Sequence, residues 1–167
     1  MEERKIPAAV VDASFMAAYF LGLFTGKETS HEQGFSKARD AISAIVSQNG
    51  QLFVPNIFFY EMGNILHTAA HKRITKTEQH EIEYDLFELP IVFDENCDTA
   101  LMMRIQEFAD AYSLSFYDAA YLELSERLQL PLLTFDSVLE NAVHIVQMRH
   151  ARIHIRTNAH LALRCQA

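Results

Sequence analysis

The sequence predicts an α/β sandwich built on parallel strands. Short apolar runs alternate along the chain with longer helical segments, the runs are continuous instead of alternating with polar residues, and prolines flank the middle ones. Strands that are buried on both faces of a parallel sheet read as continuous apolar runs, and proline is tolerated at strand ends. Alternating strands and helices then imply right-handed crossovers within one sheet.

The predicted strands are short, aliphatic and rich in β-branched residues. They are expected over Ala8–Val11, Leu52–Val54, Ile91–Phe93, Leu132–Phe135 and His144–Gln147. Helices are predicted between them, over 14–24, 33–48, 57–72, 76–87, 96–112, 116–129 and 137–143. Thr75 with Glu78, and Ser115 with Asp118, match the capping pattern at a helix start, and Asn56 is placed as an N-cap.

Composition favours a single domain with a substantial core. The chain has 167 residues, of which 50% are hydrophobic and 22% are charged, and its five glycines and four prolines are fewer than average. Its two cysteines, Cys97 and Cys165, cannot form a disulfide framework, which predicts a reducing compartment and a cytoplasmic protein. The most apolar run, Ala13–Phe24, is too short to span about 30 Å of hydrocarbon, and no secretory signal pattern is present, so no membrane association is expected.

Charge is unevenly distributed along the chain. Residues 149–167 hold four arginines and three histidines without any acid, whereas the formal net charge of the whole chain is −8. The acidic remainder argues against a broad nucleic-acid-binding surface, so binding to nucleic acid would need a local site that neutralises charge, such as a metal site. We expect 149–167 to be a basic appendage, either a functional arm or an addition to the natural chain, and Gly26–Phe35 to be a flexible loop.

Acidic side chains recur where the predicted strands end. Asp12, Asp94 and Asp136 each follow a strand directly. Glu61 lies about one helical turn beyond the end of another strand, with Asn64 on the same helical face. In an open parallel sheet, ligands bind at the carboxyl ends of the strands, so this edge is the candidate site.

Capping is the ordinary explanation for each acid taken alone, because the helix dipole favours carboxylates at N-termini. Asp94 is expected to do only this, for the helix that follows it. Asp12, Glu61, Asp118 and Asp136 would repel one another at a shared edge, because two charges ~4 Å apart cost about 4 kcal/mol at an effective dielectric of 20. Such a cluster needs protons or divalent cations, and oxygen ligands indicate Mg²⁺ or Mn²⁺.

Three segments resemble a known family. VVDAS, VPNIFFYEMGNIL and SLSFYDAAYLELSERLQLPLLTFD are similar to segments of PIN-domain ribonucleases, particularly the VapC-like toxins of type II toxin–antitoxin pairs. The resemblance covers about residues 8–147. It implies a three-layer α/β/α sandwich with a short, mostly parallel central sheet, and a PIN-like nuclease domain over 1–148 with the appendage over 149–167.

The resemblance implies Mg²⁺- or Mn²⁺-dependent hydrolysis of RNA. In this interpretation Asp12 and Asp118 are the core metal ligands, and Glu61 and Asp136 complete the catalytic, metal-binding set. The side chains that would orient those ligands are Ser14 and Asn64. The implied partners are an RNA substrate, a small antitoxin protein that covers the site, and a second copy in a homodimer.

The basic cluster Lys72, Arg73 and Lys76 is a candidate RNA contact, although cations near a helix C-terminus also simply complement the dipole. Tyr117 and Tyr121 could stack on a base, but core packing is the expected role. Two other function classes remain open: a non-catalytic interaction module whose acids only cap helices, and an RNA-processing PIN nuclease that is not a toxin. A receiver-type phosphoacceptor is disfavoured, because the late strand ends in Phe135-Asp136 without the lysine such a site needs.

Overall fold

A four-stranded parallel sheet organises the residues that the computed structural model describes, which are 7–25, 32–72 and 74–148. Its strands are β1 (Ala8–Val11), β2 (Gln51–Val54), β3 (Ile91–Phe93) and β4 (Leu132–Leu133). Their order in space is β3-β2-β1-β4, and each neighbouring pair is parallel. Val10 of β1 aligns with Phe53 on one side and Leu132 on the other, so the first strand lies inside the sheet.

Helices follow the strands as predicted, which gives the three-layer α/β/α architecture. They are α1 (Ala13–Thr25), α2 (Glu32–Val46), α3 (Ile57–Ala70), α4 (Lys76–Glu88), α5 (Thr99–Tyr112), α6 (Phe116–Leu128) and α7 over residues 137–148. No helix within the described ranges is long and apolar enough to cross a bilayer.

The two central strands of the sheet, β1 and β2, are largely buried because they are apolar on both faces, whereas β3 and β4 at the edges are half-buried. Val10, Val11, Leu52 and Val54 have no exposed surface. Met16 of α1 is buried as completely. This burial matches the expectation for a parallel sheet covered by helices on both sides.

Two of the predicted helix starts are confirmed. Thr75 and Glu78 form a reciprocal capping box at α4, and Ser115 accepts a hydrogen bond from the Asp118 amide at α6. Asn56 differs from the prediction, because it has helical backbone angles and its side chain does not cap α3. The side-chain amide of Asn56 instead donates to the backbone carbonyl of Asp94 at 2.9 Å.

The prediction that Asp94 caps the next helix is wrong. That helix begins at Thr99, and Asp98 is its N-cap, accepting from the amide of Leu101 at 2.7 Å. Asp94 instead forms an ion pair with Arg127 of α6. An acid directly after a strand can thus have a partner that is distant in the chain, as Asp94 has in Arg127.

The predicted strand over His144–Gln147 is also wrong, because these residues belong to α7. Leu139, Ala142 and Val146 are its buried residues, and this spacing follows the helical repeat. The strand predicted over Leu132–Phe135 is shorter than expected, since β4 ends at Leu133.

The predicted loop over Gly26–Phe35 overlaps α2, whose first turn contains residues 32–35. Residues 26–31 lie outside the described part of the chain, as does the predicted appendage over 149–167.

Candidate active site

Asp12 follows β1 and is the most enclosed acid of the predicted set, with 5% of its surface exposed. Its carboxylate accepts hydrogen bonds from the Phe15 amide at 2.8 Å, from Ser14 Oγ at 2.8 Å and from Thr134 Oγ1 at 2.8 Å. Burial raises the pKa of Asp12 and these hydrogen bonds oppose the rise, while the charge of Asp136 adds to it. Three hydrogen-bond donors therefore fix the orientation of the Asp12 carboxylate, although burial disfavours its ionised form.

Thr134 and Ser14 join the ends of β1 and β4. Thr134 Oγ1 donates to Asp12 and accepts from the Asp136 amide at 2.9 Å. Ser14 Oγ accepts from the Phe135 amide at 3.0 Å, and the rings of Phe15 and Phe135 stack with centroids 4.7 Å apart. Ser14 thus donates to Asp12, and its role as an orienting residue of a metal ligand stays a prediction. Thr134 is not among the predicted residues; its position at the end of β4, two residues before Asp136, is the signal that could have identified it.

Glu61 lies in the second turn of α3 and is half-buried. The hydroxyl of Tyr121, on α6, donates to Glu61 Oε2 at 2.5 Å. Burial raises the pKa of Glu61, the Tyr121 hydrogen bond lowers it, and the charges of Asp118 and Asp12 raise it further. Burial and Glu61 together raise the pKa of Tyr121 strongly, so its hydroxyl stays protonated and remains a donor.

Tyr121 was expected in the core, and it is there, with 1% of its surface exposed. Its contact with Glu61 was not predicted, although a tyrosine three residues after Asp118 lies on the same helical face and could have indicated it. Tyr117, expected in the core as well, is 56% exposed. Asn64 is exposed on α3, and its role as an orienting residue stays a prediction.

Asp118 and Asp136 each combine a local capping interaction with a charge effect on another acid. Ser115 Oγ donates to the Asp118 carboxylate at 2.7 Å, and the charge of Asp118 raises the pKa of Glu61. Asp136 accepts from the amides of Val138 and Leu139, at 2.8 Å and 2.9 Å, at the start of α7. Local capping therefore explains part of why an acid occupies each position, but the charges of Asp118 and Asp136 also act on other acids of the site.

Charge interactions connect all four acids. Asp136 acts on Asp12, Asp12 acts on Glu61, and Asp118 acts on Glu61. Each interaction raises a pKa, so each is repulsive between ionised carboxylates. The four acids come from the end of β1, from α3, from the first turn of α6 and from the residues after β4. The fold thus brings residues far apart in sequence to one edge of the sheet.

The donor chemistry of this edge suits a hard cation. All the acids offer carboxylate oxygens, which are the ligands that Mg²⁺ and Mn²⁺ prefer, and their mutual repulsion would be relieved by positive charge. Within the described ranges, no group of three or more His, Cys, Asp or Glu side chains has an arrangement that could hold one metal ion. The acids therefore suit a divalent cation by donor type and by charge, but the described side chains are not arranged as a three-ligand site.

The predicted basic contact lies where α3 ends and α4 begins. Lys72 and Lys76 are exposed, and Lys76 Nζ donates to Gln79 at 2.9 Å. Arg73 lies outside the described residues.

The fold and the sequence agree on the family. The family model of the PIN domain matches residues 9–145, so this chain belongs to the PIN-domain family. The crystal structure of PAE2754 from Pyrobaculum aerophilum is similar in fold, with a TM-score of 0.58 and 20% identity over 91% of this chain and 94% of that one. No curated protein matches the sequence. PIN domains are generally nucleases, so membership indicates a hydrolase that acts on nucleic acid.

Proposed function

We propose that this protein is an endoribonuclease that depends on Mg²⁺ or Mn²⁺ and hydrolyses RNA phosphodiester bonds. The observation that supports this most strongly is the electrostatic connection of Asp12, Glu61, Asp118 and Asp136, in which neighbouring charges add to the rise that burial causes in the pKa of Asp12 and of Glu61. Groups with perturbed pKa values that face one another are typical of catalytic sites. Helix capping alone gives no reason for four acids to converge.

The four acids would hold the cation and position the attacking water. Asp12 and Asp118 would be the core metal ligands, with Glu61 and Asp136 as further ligands. A bound divalent cation would lower the pKa of its water and neutralise the phosphate oxygens. Water would attack phosphorus, the bond to the 3′ oxygen would break, and the products would be 5′-phosphate and 3′-hydroxyl ends.

The surrounding residues would hold these ligands in place. Ser14 and Thr134 donate to the Asp12 carboxylate, and Tyr121 donates to Glu61. Such orienting partners fix the direction in which a carboxylate presents its free lone pairs. Glu61 or Asp136 would accept the proton from the attacking water.

Partners and cellular role extend this proposal. We expect Lys72, Arg73 and Lys76 to contact the RNA backbone, because the acidic body needs local cations to bind a polyanion. From the resemblance of three sequence segments to VapC-like toxins we propose a toxin that acts on cytoplasmic RNA, forms a homodimer and is neutralised by a small antitoxin. The alternative within the same chemistry is an RNA-processing nuclease without an antitoxin.

A cleavage assay tests the proposal. Purified protein with labelled RNA and Mn²⁺ should yield fragments with 5′-phosphate ends, and EDTA should stop the reaction. Asp118→Asn should reduce the rate by at least 100-fold, whereas Asp85→Asn, a matched change at an exposed position of α4, should leave it unchanged. Equal rates for Asp118→Asn and wild type would contradict the proposal.

A thermal shift distinguishes the nuclease from an interaction module. Asp12, Asp118 and Asp136 all make local capping contacts, which is what a module would require. If the acids also bind a cation, millimolar Mn²⁺ should raise the melting temperature, and Asp118→Asn should remove most of that rise. An unchanged melting curve together with an absence of cleavage would favour the module.

A further inference from the structure

A cavity of about 540 Å³ lies beside the four proposed catalytic acids, and the proposed hydrolysis gives it no role. Its walls come from the start of α3, the segment between β3 and α5, α5 itself and the start of α6. Asn56, Asn96, Met102, Phe116 and Tyr117 are among the residues that line it. None of the four proposed catalytic acids belongs to its lining.

The cavity adjoins the proposed catalytic residues through two helices. Tyr117 directly precedes Asp118 in the first turn of α6. Asn56 and Ile57 line the cavity where α3 begins, one turn before Glu61. A ligand in the cavity would therefore lie next to the acids, at the same edge of the sheet.

The lining offers flat apolar surfaces. Tyr117 is 56% exposed, and Phe116 and Met102 are also exposed. Exposed aromatic rings at one end of a cavity are suited to stacking on a nucleobase, and alanine substitution of a stacking ring costs about 1–3 kcal/mol per base, which is roughly 5- to 150-fold in affinity.

Two carboxamides supply polar groups that could read the edge of a base. Asn56 donates one hydrogen bond to the Asp94 carbonyl at 2.9 Å, and Asn96 donates to the Asp94 carboxylate at 3.0 Å. A carboxamide has two N–H donors and a carbonyl acceptor, so each of these side chains keeps one donor and its acceptor. A side chain that offers both a donor and an acceptor can recognise the hydrogen-bonding edge of one base in preference to another.

An ion-pair network connects the cavity walls and balances two of the three acids in the lining, which are Asp94, Asp98 and Glu123. Arg127 pairs with Asp94 and with Glu123, which has 1% of its surface exposed. Arg104 of α5 also pairs with Glu123, at 2.9 Å. The network connects the segment after β3 and α5 to α6. Two arginines thus pair with Asp94 and Glu123, and the third acid, Asp98, accepts from the Leu101 amide as the N-cap of α5, so most of the negative charge of the lining is offset by cations.

We propose that this cavity binds a nucleobase of the RNA substrate next to the scissile phosphate, with Tyr117 as the stacking ring. The inference rests on the proposed ribonuclease function and adds a source of sequence preference to it. A dimer partner could also cover exposed rings, but the retained donors and acceptors of Asn56 and Asn96 and the position beside Asp118 favour a base.

Fluorescence anisotropy with a labelled 12-nucleotide RNA in Ca²⁺ tests the inference independently of cleavage. Tyr117→Ala should raise the Kd about tenfold, and Tyr117→Phe, which keeps the ring, should stay within twofold of wild type. Tyr84→Ala, which removes an exposed tyrosine of α4, should have no effect. Mapping cleavage ends in a random-sequence RNA with Mn²⁺ should show that Tyr117→Ala flattens the preference at one position beside the cut.

The outcomes separate the two proposals. An unchanged Kd and an unchanged cleavage preference for Tyr117→Ala, in a wild type that cleaves RNA, would overturn the base site and leave the nuclease intact. Binding that depends on Tyr117 without any cleavage would support the base site and contradict the nuclease. A change from dimer to monomer in sedimentation with an unchanged Kd would assign the rings to a second copy, and failure of the wild type to bind RNA would overturn both proposals.

Discussion

Replacement of Thr134 by valine removes one hydroxyl from the junction between β1 and β4 while keeping nearly the same shape. That hydroxyl donates to Asp12 at 2.8 Å and accepts from the Asp136 amide at 2.9 Å. A hydrogen bond to a charged acceptor contributes about 1.5–3 kcal/mol, and an amide left without its partner costs about 1–3 kcal/mol when buried. Because Thr134 is half-buried, we take the lower part of these ranges and expect a loss of about 2–3 kcal/mol.

This loss is measurable by thermal unfolding. For a chain of this size each kcal/mol shifts the melting temperature by roughly 2–4 °C, so Thr134→Val should melt about 4–12 °C below wild type at pH 7 without divalent cations. Thr68→Val makes the same chemical change at an exposed position of α3 and should shift the melting temperature by less than about 2 °C. Equal melting temperatures for Thr134→Val and Thr68→Val would refute the reasoning that this hydroxyl orients Asp12.

Three further predictions concern ionisation and packing. The folded pKa of Asp12 is raised, so the stability that this residue contributes is present below its unfolded pKa of about 3.9 and is lost as the pH rises through the folded pKa. The melting temperature of the metal-free wild type should therefore fall relative to that of Asp12→Asn between pH 4 and pH 8. A constant difference between the two melting temperatures would contradict this. Tyr121→Phe removes the hydrogen bond that lowers the pKa of Glu61, so the acidic limb of the cleavage rate should move to higher pH; an unmoved limb would mean that Glu61 does not set it. Gly50→Ala should destabilise the fold by about 1–3 kcal/mol in a denaturant titration, because its Cβ would lie 2.1 Å from the Pro7 carbonyl oxygen; an unshifted midpoint would show that the backbone can yield there.

The sequence was sufficient to predict most of the sheet because a buried parallel strand leaves a local pattern. β1 and β3 have the predicted bounds, and β2 differs by one residue, since continuous apolar runs reflect burial directly. The prediction that the candidate site lies at the carboxyl edge of the sheet follows from the rule that ligands bind where parallel strands end. The fold and the PIN family were therefore accessible before the structure.

The hydrogen-bond partners were not accessible in the same way. Thr134 contacts Asp12 across 122 positions of the chain, and Tyr121 contacts Glu61 across 60, so neither contact leaves a local pattern. Asp94 failed as a predicted cap for the same reason, because Arg127 is 33 positions away. Local reasoning also mistook residues 144–147 for a strand, since their β-branched side chains outweighed the helical spacing of Leu139, Ala142 and Val146.

The central claim is that the four acids share one electrostatic environment, and carboxyl-carbon NMR titration of the metal-free protein measures this directly. Asp118→Asn should lower the pKa of Glu61, and Asp136→Asn should lower the pKa of Asp12, because each change removes a repelling charge. Asp85→Asn should move neither value. Titration curves of Glu61 and Asp12 that are the same in all three variants and in wild type would contradict the account.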